Sequence, residues 1–324
     1  MSDGLLKAAV SRRSLIKWSA VGSAAAALPF GLQGASAADK VVATLITDTA
    51  GLGDQNFNDL ADAGGKKAAA DLGIEWKVIE SADAAAYEPN LTAGADQSDL
   101  TIGIGFLLHD AITTVAAKYP DKKFLLVDSQ TDAKNVQSVT FKEHEAAFLA
   151  GVVSGKSTKS NKLGIVGGQR VPPVMRYEVG FVAGVKTVNA AAEIIITYTD
   201  TFGDPALGKK TAEAQFGQGA DILLPIAGAT GSGCYQAAKE KGDGFLIASA
   251  DTSQDHLAPG HELVVAQKGV DTSIYAAIKA VVDGSFKGGV EDLGIKEGGV
   301  SLQDPGKKVA PDVMALAMAF QKMI

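Results

Sequence analysis

Asp48 and Phe57 stand on either side of a glycine-rich turn, Gly51-Leu52-Gly53-Asp54. A carboxylate accepts hydrogen bonds, and a phenyl ring offers a flat apolar face for stacking. The two groups act together only if the flanking chain brings them to one place. Val41 to Ile46 is an apolar run closed by Thr47-Asp48-Thr49, which predicts a strand buried on both faces. Asn56 to Ala70 reads as a helix, with Phe57, Leu60, Ala61 and Gly64 on one side. This is a β-loop-α unit, and ligands of open parallel sheets bind just past the carboxyl ends of such strands. One acceptor and one aromatic face then open onto the same crevice. Alternatively, Asp48 is a turn residue and Phe57 belongs to the core, so support has to come from elsewhere in the chain.

Two further aspartates close predicted strands: Asp128 after Phe124–Val127, and Asp251 after Phe245–Ala250. A carboxylate in that position can accept from two neighbouring hydroxyls, as a ribose diol presents them; Asp128 could instead serve a hinge or cap a helix. Gly228 to Gly233 reads G-A-T-G-S-G ahead of a predicted helix, a pattern able to cradle phosphate. It lacks the Lys-Ser/Thr ending of a phosphate-binding loop, and the first β-α turn carries no G-x-G-x-x-G. Three nearby aspartates would also repel phosphate, which disfavours a phosphate-bearing ligand. His109, His144, His256 and His261 show no metal-ligand spacing. No nucleophile elbow or Cys-His pair is present. The sequence therefore implies no catalytic set, no metal and no cofactor.

Apolar runs and helical patterns alternate down the chain. Further strands are expected at 74–79, 100–106, 136–141, 163–166, 193–199, 222–226 and 263–266, with helices at 109–119, 143–154, 174–189, 205–217, 233–241 and 272–283. Such alternation implies an α/β fold with parallel sheets. The second half repeats the logic of the first, which implies two lobes. Chain crossings are expected at Phe141–Glu143, Ala250–Thr252 and Gly284–Val290. These put residues 40–141 plus 251–286 in one lobe and 142–250 plus 287–324 in the other, with a cleft that can close about a three-segment hinge.

The first 37 residues read as an export signal. Ser11-Arg12-Arg13-Ser14-Leu15-Ile16-Lys17 is a twin-arginine pattern, followed by an apolar stretch to Leu32 and a small-residue cleavage site, Ala35-Ser36-Ala37. The single cysteine, Cys234, lies far from that site, which implies no lipid anchor, and it excludes an internal disulfide. Removing Lys7, Arg12, Arg13 and Lys17 against Asp3 takes the net charge from −7 to −10. Nucleic acid and anionic membrane surfaces are poor partners for such a chain.

Several stretches, in order, carry a family resemblance: Gly53–Asp59, Tyr87–Leu91, Gly103–Leu107, Lys123–Asp128, Glu145–Gly151, Gly164–Gly168, Gly180–Gly184 and Ala227–Gly233. With them the chain resembles the basic membrane protein family of ABC-transporter solute-binding proteins, the relatives of the purine nucleoside receptor. The resemblance implies a type I periplasmic binding fold, a nucleoside ligand with a purine favoured, permease and ATPase subunits as partners, a monomer, and a periplasmic location. It implies that Phe57 and Phe202 stack on the two faces of a base and that Asp48 accepts from the base edge. It gives Asp251 and Lys268 to the ribose and Gly228 to backbone approach, and adds Phe106 and Asp128 to the lining. Phe202 could otherwise be a loop residue capping the core. Ser249-Ala250-Asp251 departs from the usual Gly-Val-Asp. Other readings are an enzyme, a transcriptional regulator of the same lobes, and a binding protein for another small polar solute such as a sugar or an amide.

Overall fold

The computed structural model describes residues 40–324. Their strands form two six-stranded sheets. The first contains β1 (Val42–Ile46), β2 (Glu75–Ile79), β3 (Leu100–Ile104), β4 (Lys123–Val127), β5 (Val136–Phe141) and β11 (Gly289–Leu293), in the order β11-β5-β4-β3-β1-β2. The second contains β6 (Lys162–Gly167), β7 (Glu193–Tyr198), β8 (Ile222–Ile226), β9 (Leu246–Asp251), β10 (Glu262–Lys268) and β12 (Val300–Gln303), in the order β12-β10-β9-β8-β6-β7. Described pairs are parallel except β10 with β12. β1 lies between β2 and β3 while β6 lies between β7 and β8, so each sheet reverses its strand order at the same relative position. Those switch points are where an α/β sheet opens a crevice. β3 and β8 are buried along their whole length, as strands covered on both faces should be.

Helices cover both sheets. In the first lobe α1 (Phe57–Leu72) packs against α8 (Val270–Val282), while α2 (Tyr87–Gln97) and α3 (His109–Lys118) pack together on the opposite side. In the second lobe α4 (Glu143–Ser157) is buried over most of its surface by α5 (Pro172–Val188), α9 (Pro311–Gln321) and the sheet. Gly184 sets how closely α4 and α5 approach, since a Cβ there would fall 2.0 Å from the Phe148 carbonyl oxygen. The sixth and seventh helices are α6 (Pro205–Gly217) and α7 (Ala229–Lys241), which pack on each other.

Two of the three expected crossings need correction. The chain does not leave the second lobe at Ala250–Thr252. β10 adds to the second sheet beside β9, and the loop before it is tied down by Glu262, whose carboxylate accepts from Ser249 Oγ, Ser253 Oγ and the Gln254 amide. The crossing falls at Gly269. The third falls at residues 294–299 rather than 284–290, because Gly289–Leu293 pairs with β5 as an edge strand of the first sheet. Its sequence, GVEDL, is exposed at four of five positions, so it lacks the apolar run that marks a buried strand. The crossing segments are hydrogen-bonded together: Lys142 N donates to Leu293 O at 3.0 Å and Gly269 N to Gly299 O at 2.8 Å.

Candidate functional site

The loop after β1 is held by carboxylates. Asp54 Oδ1 accepts from the amides of Asn56 and Asp59, and its Oδ2 from the amide and side chain of Asn58. Asp59 in turn accepts from the amides of Gly53 and Gln55. These bonds satisfy the Asn58 and Asp59 amides in the first turn of α1 and the Gly53, Gln55 and Asn56 amides of the loop before it. They fix Phe57 at the start of the helix and Asn58 beneath the strand end. Asn58 donates to Asp48 Oδ1 at 2.8 Å, and Ala50 N donates to the same oxygen at 2.9 Å. Burial pushes the Asp48 carboxyl up to about 6, against the pull of those two donors.

Across the cleft β9 and β10 end in Asp251 and Lys268. Asp251 adopts a left-handed backbone, φ 64°, and so does Asp128 at the end of β4, φ 67°. Such strain in non-glycine residues tends to gather where a side chain must be aimed. Tyr177 Oη donates to Asp251 Oδ1 at 2.9 Å. Asn56 Nδ2 reaches Asp251 Oδ2 from the first lobe at 3.2 Å. Lys268 is 2% exposed; its Nζ lies 2.6 Å from Asp128 Oδ2, 3.1 Å from Glu143 Oε1 and 5.0 Å from the centre of the Phe57 ring. Glu143, fully buried, is held from its far side by Arg176 Nε at 2.5 Å. Burial alone would pull the Lys268 ammonium down; Asp128, Glu143 and Asp251 hold it above its ordinary value. Burial raises the Asp128 and Asp251 carboxyls, with Lys268 opposing. Two cations thus face three carboxylates, and Asp128 Oδ1 accepts no hydrogen bond within the protein.

Most of these groups line one cavity between the lobes. All eight residues singled out from the sequence line it: Asp48, Phe57, Phe106 and Asp128 from the first lobe, and Phe202, Gly228, Asp251 and Lys268 from the second. Each stacking candidate rests on a glycine. A Cβ on Gly105 would come within 3.3 Å of the Phe57 ring, and one on Gly168 within 2.3 Å of the Phe202 ring. Gly228, φ 53°, closes over Phe202, whose carbonyl accepts from Thr230 N.

Asn58, Tyr177 and Val174 also line the cavity, and Glu143 and Arg176 stand behind it; sequence reasoning left all five out. Tyr177 falls in a helix whose periodic apolar face reads as core. Glu143 marks a crossing segment, and nothing in its neighbours shows that it will meet Lys268 and Arg176. No cluster of His, Cys, Asp and Glu among the described residues is arranged to hold a metal ion.

Residues 40–322 match the family described as ABC transporter substrate-binding protein, PnrA-like. The chain belongs to that family. Residues 9–29 match the twin-arginine translocation signal, which marks the chain for export. Among relatives, the ABC transporter nucleoside-binding protein BmpA of Lactococcus lactis is 34% identical, covering 80% of this chain and 80% of that protein. An uncharacterised lipoprotein of Pyrococcus abyssi is 37% identical, over 82% of this chain and 70% of the relative. A solute-binding protein of Aeropyrum pernix, solved by crystallography, superposes with a TM-score of 0.78 at 32% identity, covering 87% of this chain and 86% of that one. No described helix is long and apolar enough to cross a membrane.

Proposed function

We propose that the protein binds a nucleoside, with a purine favoured, and passes it unchanged to an ABC permease. The observation that carries this reading is the pair of glycine-backed phenylalanines, one on each lobe of a single cavity. Such rings take a flat heterocycle between them, each adding about 0.5–1.5 kcal/mol beyond area burial. Asp48 keeps Oδ2 for the base edge, since Oδ1 is already bonded to Asn58 and Ala50. At the other end Asp251, Asp128 and Lys268 suit the hydroxyls of a ribose. The Lactococcus relative named as nucleoside-binding supports the same choice.

Truncating Phe57 or Phe202 to Ala should cost at least ~1.5–3 kcal/mol of binding, on the order of tenfold or more in Kd. Asp251→Ala should weaken nucleosides strongly and free bases little, because the diol is its target. Calorimetry with adenosine, guanosine, uridine and a free purine checks both points. If the wild type binds none of them, the nucleoside reading falls and a sugar or amide ligand takes its place.

We further place the mature chain free in the periplasm. The one cysteine, Cys234, is buried on α7 where it packs against α6, and no lipid could be attached there. Changing Arg12 and Arg13 to Lys should leave precursor in the cytoplasm, as read by fractionation. Unaltered export would refute the twin-arginine route.

A further inference from the structure

A second cavity adjoins the first. It opens to solvent and shares Phe106 and Asp128 as wall residues with the first. Its outer wall is polar, with Gln130 and His144 exposed on opposite lobes. The cations that line it are already engaged. Arg176 is bonded to Glu143, and Lys142 lies 3.6 Å from Glu297. Asp292 adds a negative charge. This cavity therefore suits a polar group of no net charge better than a phosphate.

The junction is chemically marked. Asp128 Oδ2 is held by Lys268, but its Oδ1 is buried and has no protein partner. A buried acceptor on the wall of both cavities is open to a donor brought by the ligand or by water. In the proposed nucleoside complex, on which this inference rests, Asp251 and Lys268 occupy the 2′ and 3′ hydroxyls. The 5′ carbon is then the free sugar position at the junction.

We propose that the two cavities form one elongated site, and that the protein accepts nucleosides extended at the 5′ position by an uncharged or zwitterionic polar group. Phe106 acts as the partition that the extension passes.

Calorimetry on the exported protein tests this with the tighter-binding of adenosine and guanosine, the same nucleoside carrying a 5′ homocysteine thioether, and its 5′ monophosphate. The thioether should bind within about tenfold of the parent, and the monophosphate at least about a hundredfold more weakly. Gln130→Trp and, independently, His144→Trp fill the second cavity. Each should leave the parent nucleoside within about twofold and weaken the thioether by at least about tenfold. A wild-type protein that binds the thioether more than about tenfold more weakly than the parent overturns the inference and leaves the nucleoside reading intact. So does a monophosphate that binds as well as the thioether, or tryptophan variants that weaken both ligands equally. Failure of both parent nucleosides removes the nucleoside reading and this inference together.

Discussion

The two walls of the cavity bury the same chemical group by different means. On the first lobe Asp48 and Asp54 are compensated by neutral dipoles, chiefly backbone amides and Asn58. At the hinge side Asp128 and Glu143 are compensated by full charges, Lys268 and Arg176. Neither kind of compensation cancels the cost of burial, since Asp48 among dipoles and Asp128 beside Lys268 both rise to about 6. Ion pairs hold the charges in place, but each then depends on its partner, because an unpaired buried charge is costly. The first wall should therefore be tolerant of substitution, and the second brittle.

The largest expected effect is at the brittle wall. Lys268→Met leaves Asp128 and Glu143 facing each other without the ammonium between them. Breaking a buried ion pair from one side costs about 3–5 kcal/mol, so thermal or urea unfolding should show a loss of that order. The stranded carboxylates can recover part of it by taking up protons. The loss should thus be smaller at pH 5 than at pH 8. An equal loss at both pH values would mean that the lysine acts by packing alone, and the contrast between the walls would collapse.

A smaller effect is expected on the other side. Asp54→Ala removes the acceptor for three amides and for the Asn58 side chain. Loss of a helix-capping side chain costs about 0.5–2 kcal/mol, and the upper end is expected here because several donors are released. The same change loosens both Asp48 and Phe57, so ligand affinity should fall with stability. If affinity is untouched, the loop is not what positions the first wall.

This contrast also separates what could be read in the sequence from what could not. The strands that carry the site were legible, since β1, β4, β8 and β9 are apolar runs closed by turn residues, and the aspartates at the ends of β1, β4 and β9 announce themselves. The loop before α1 was visible as the glycine-rich turn Gly51–Asp54, but the bonds that Asp54 accepts from Asn56, Asn58 and Asp59 were not read from it. The hinge-side wall was only half visible. Lys268 and Asp128 are 140 positions apart, and Glu143 gave no sign of joining them. Its position at the end of a crossing segment becomes meaningful only once β10 is known to belong to the second sheet. That assignment failed because the loop after Asp251 looks like an exit, whereas Glu262 ties it back. The helix at Tyr87–Gln97 escaped the periodic reading although its buried residues, Tyr87, Leu91, Gly94 and Ala95, fall at helical spacing, because two of the four are small and carry little apolar signal. The edge strand at Gly289–Leu293 is polar because one side of it faces water.

The subtlest effect is the proton on Asp48. Its ordinary value is 3.8, and in the folded protein it rises to about 6. Between those values the folded state binds more of this proton than the unfolded chain does, so the contribution of Asp48 to stability is lost as pH rises from about 4 through about 6. Asp54, Asp128 and Asp251 are shifted in the same direction, so the wild-type slope alone does not isolate Asp48. Asp48→Asn does isolate it: the amide oxygen can still accept from Asn58 and Ala50, and the difference in stability between wild type and variant should change across that window and stay flat above it. Ligand affinity should run the opposite way. A base edge that donates to Oδ2 needs the ionised carboxylate, so below pH 6 the ligand must displace a proton. Affinity should then fall by up to about tenfold per pH unit, about 1.4 kcal/mol, and level off above pH 7. Calorimetry at pH 5, 6 and 8 in buffers of different ionisation enthalpy would count the protons released. A wild-type affinity independent of pH would mean that Asp48 meets the ligand as a neutral group, or not at all, and that the neutral-dipole wall serves the loop alone.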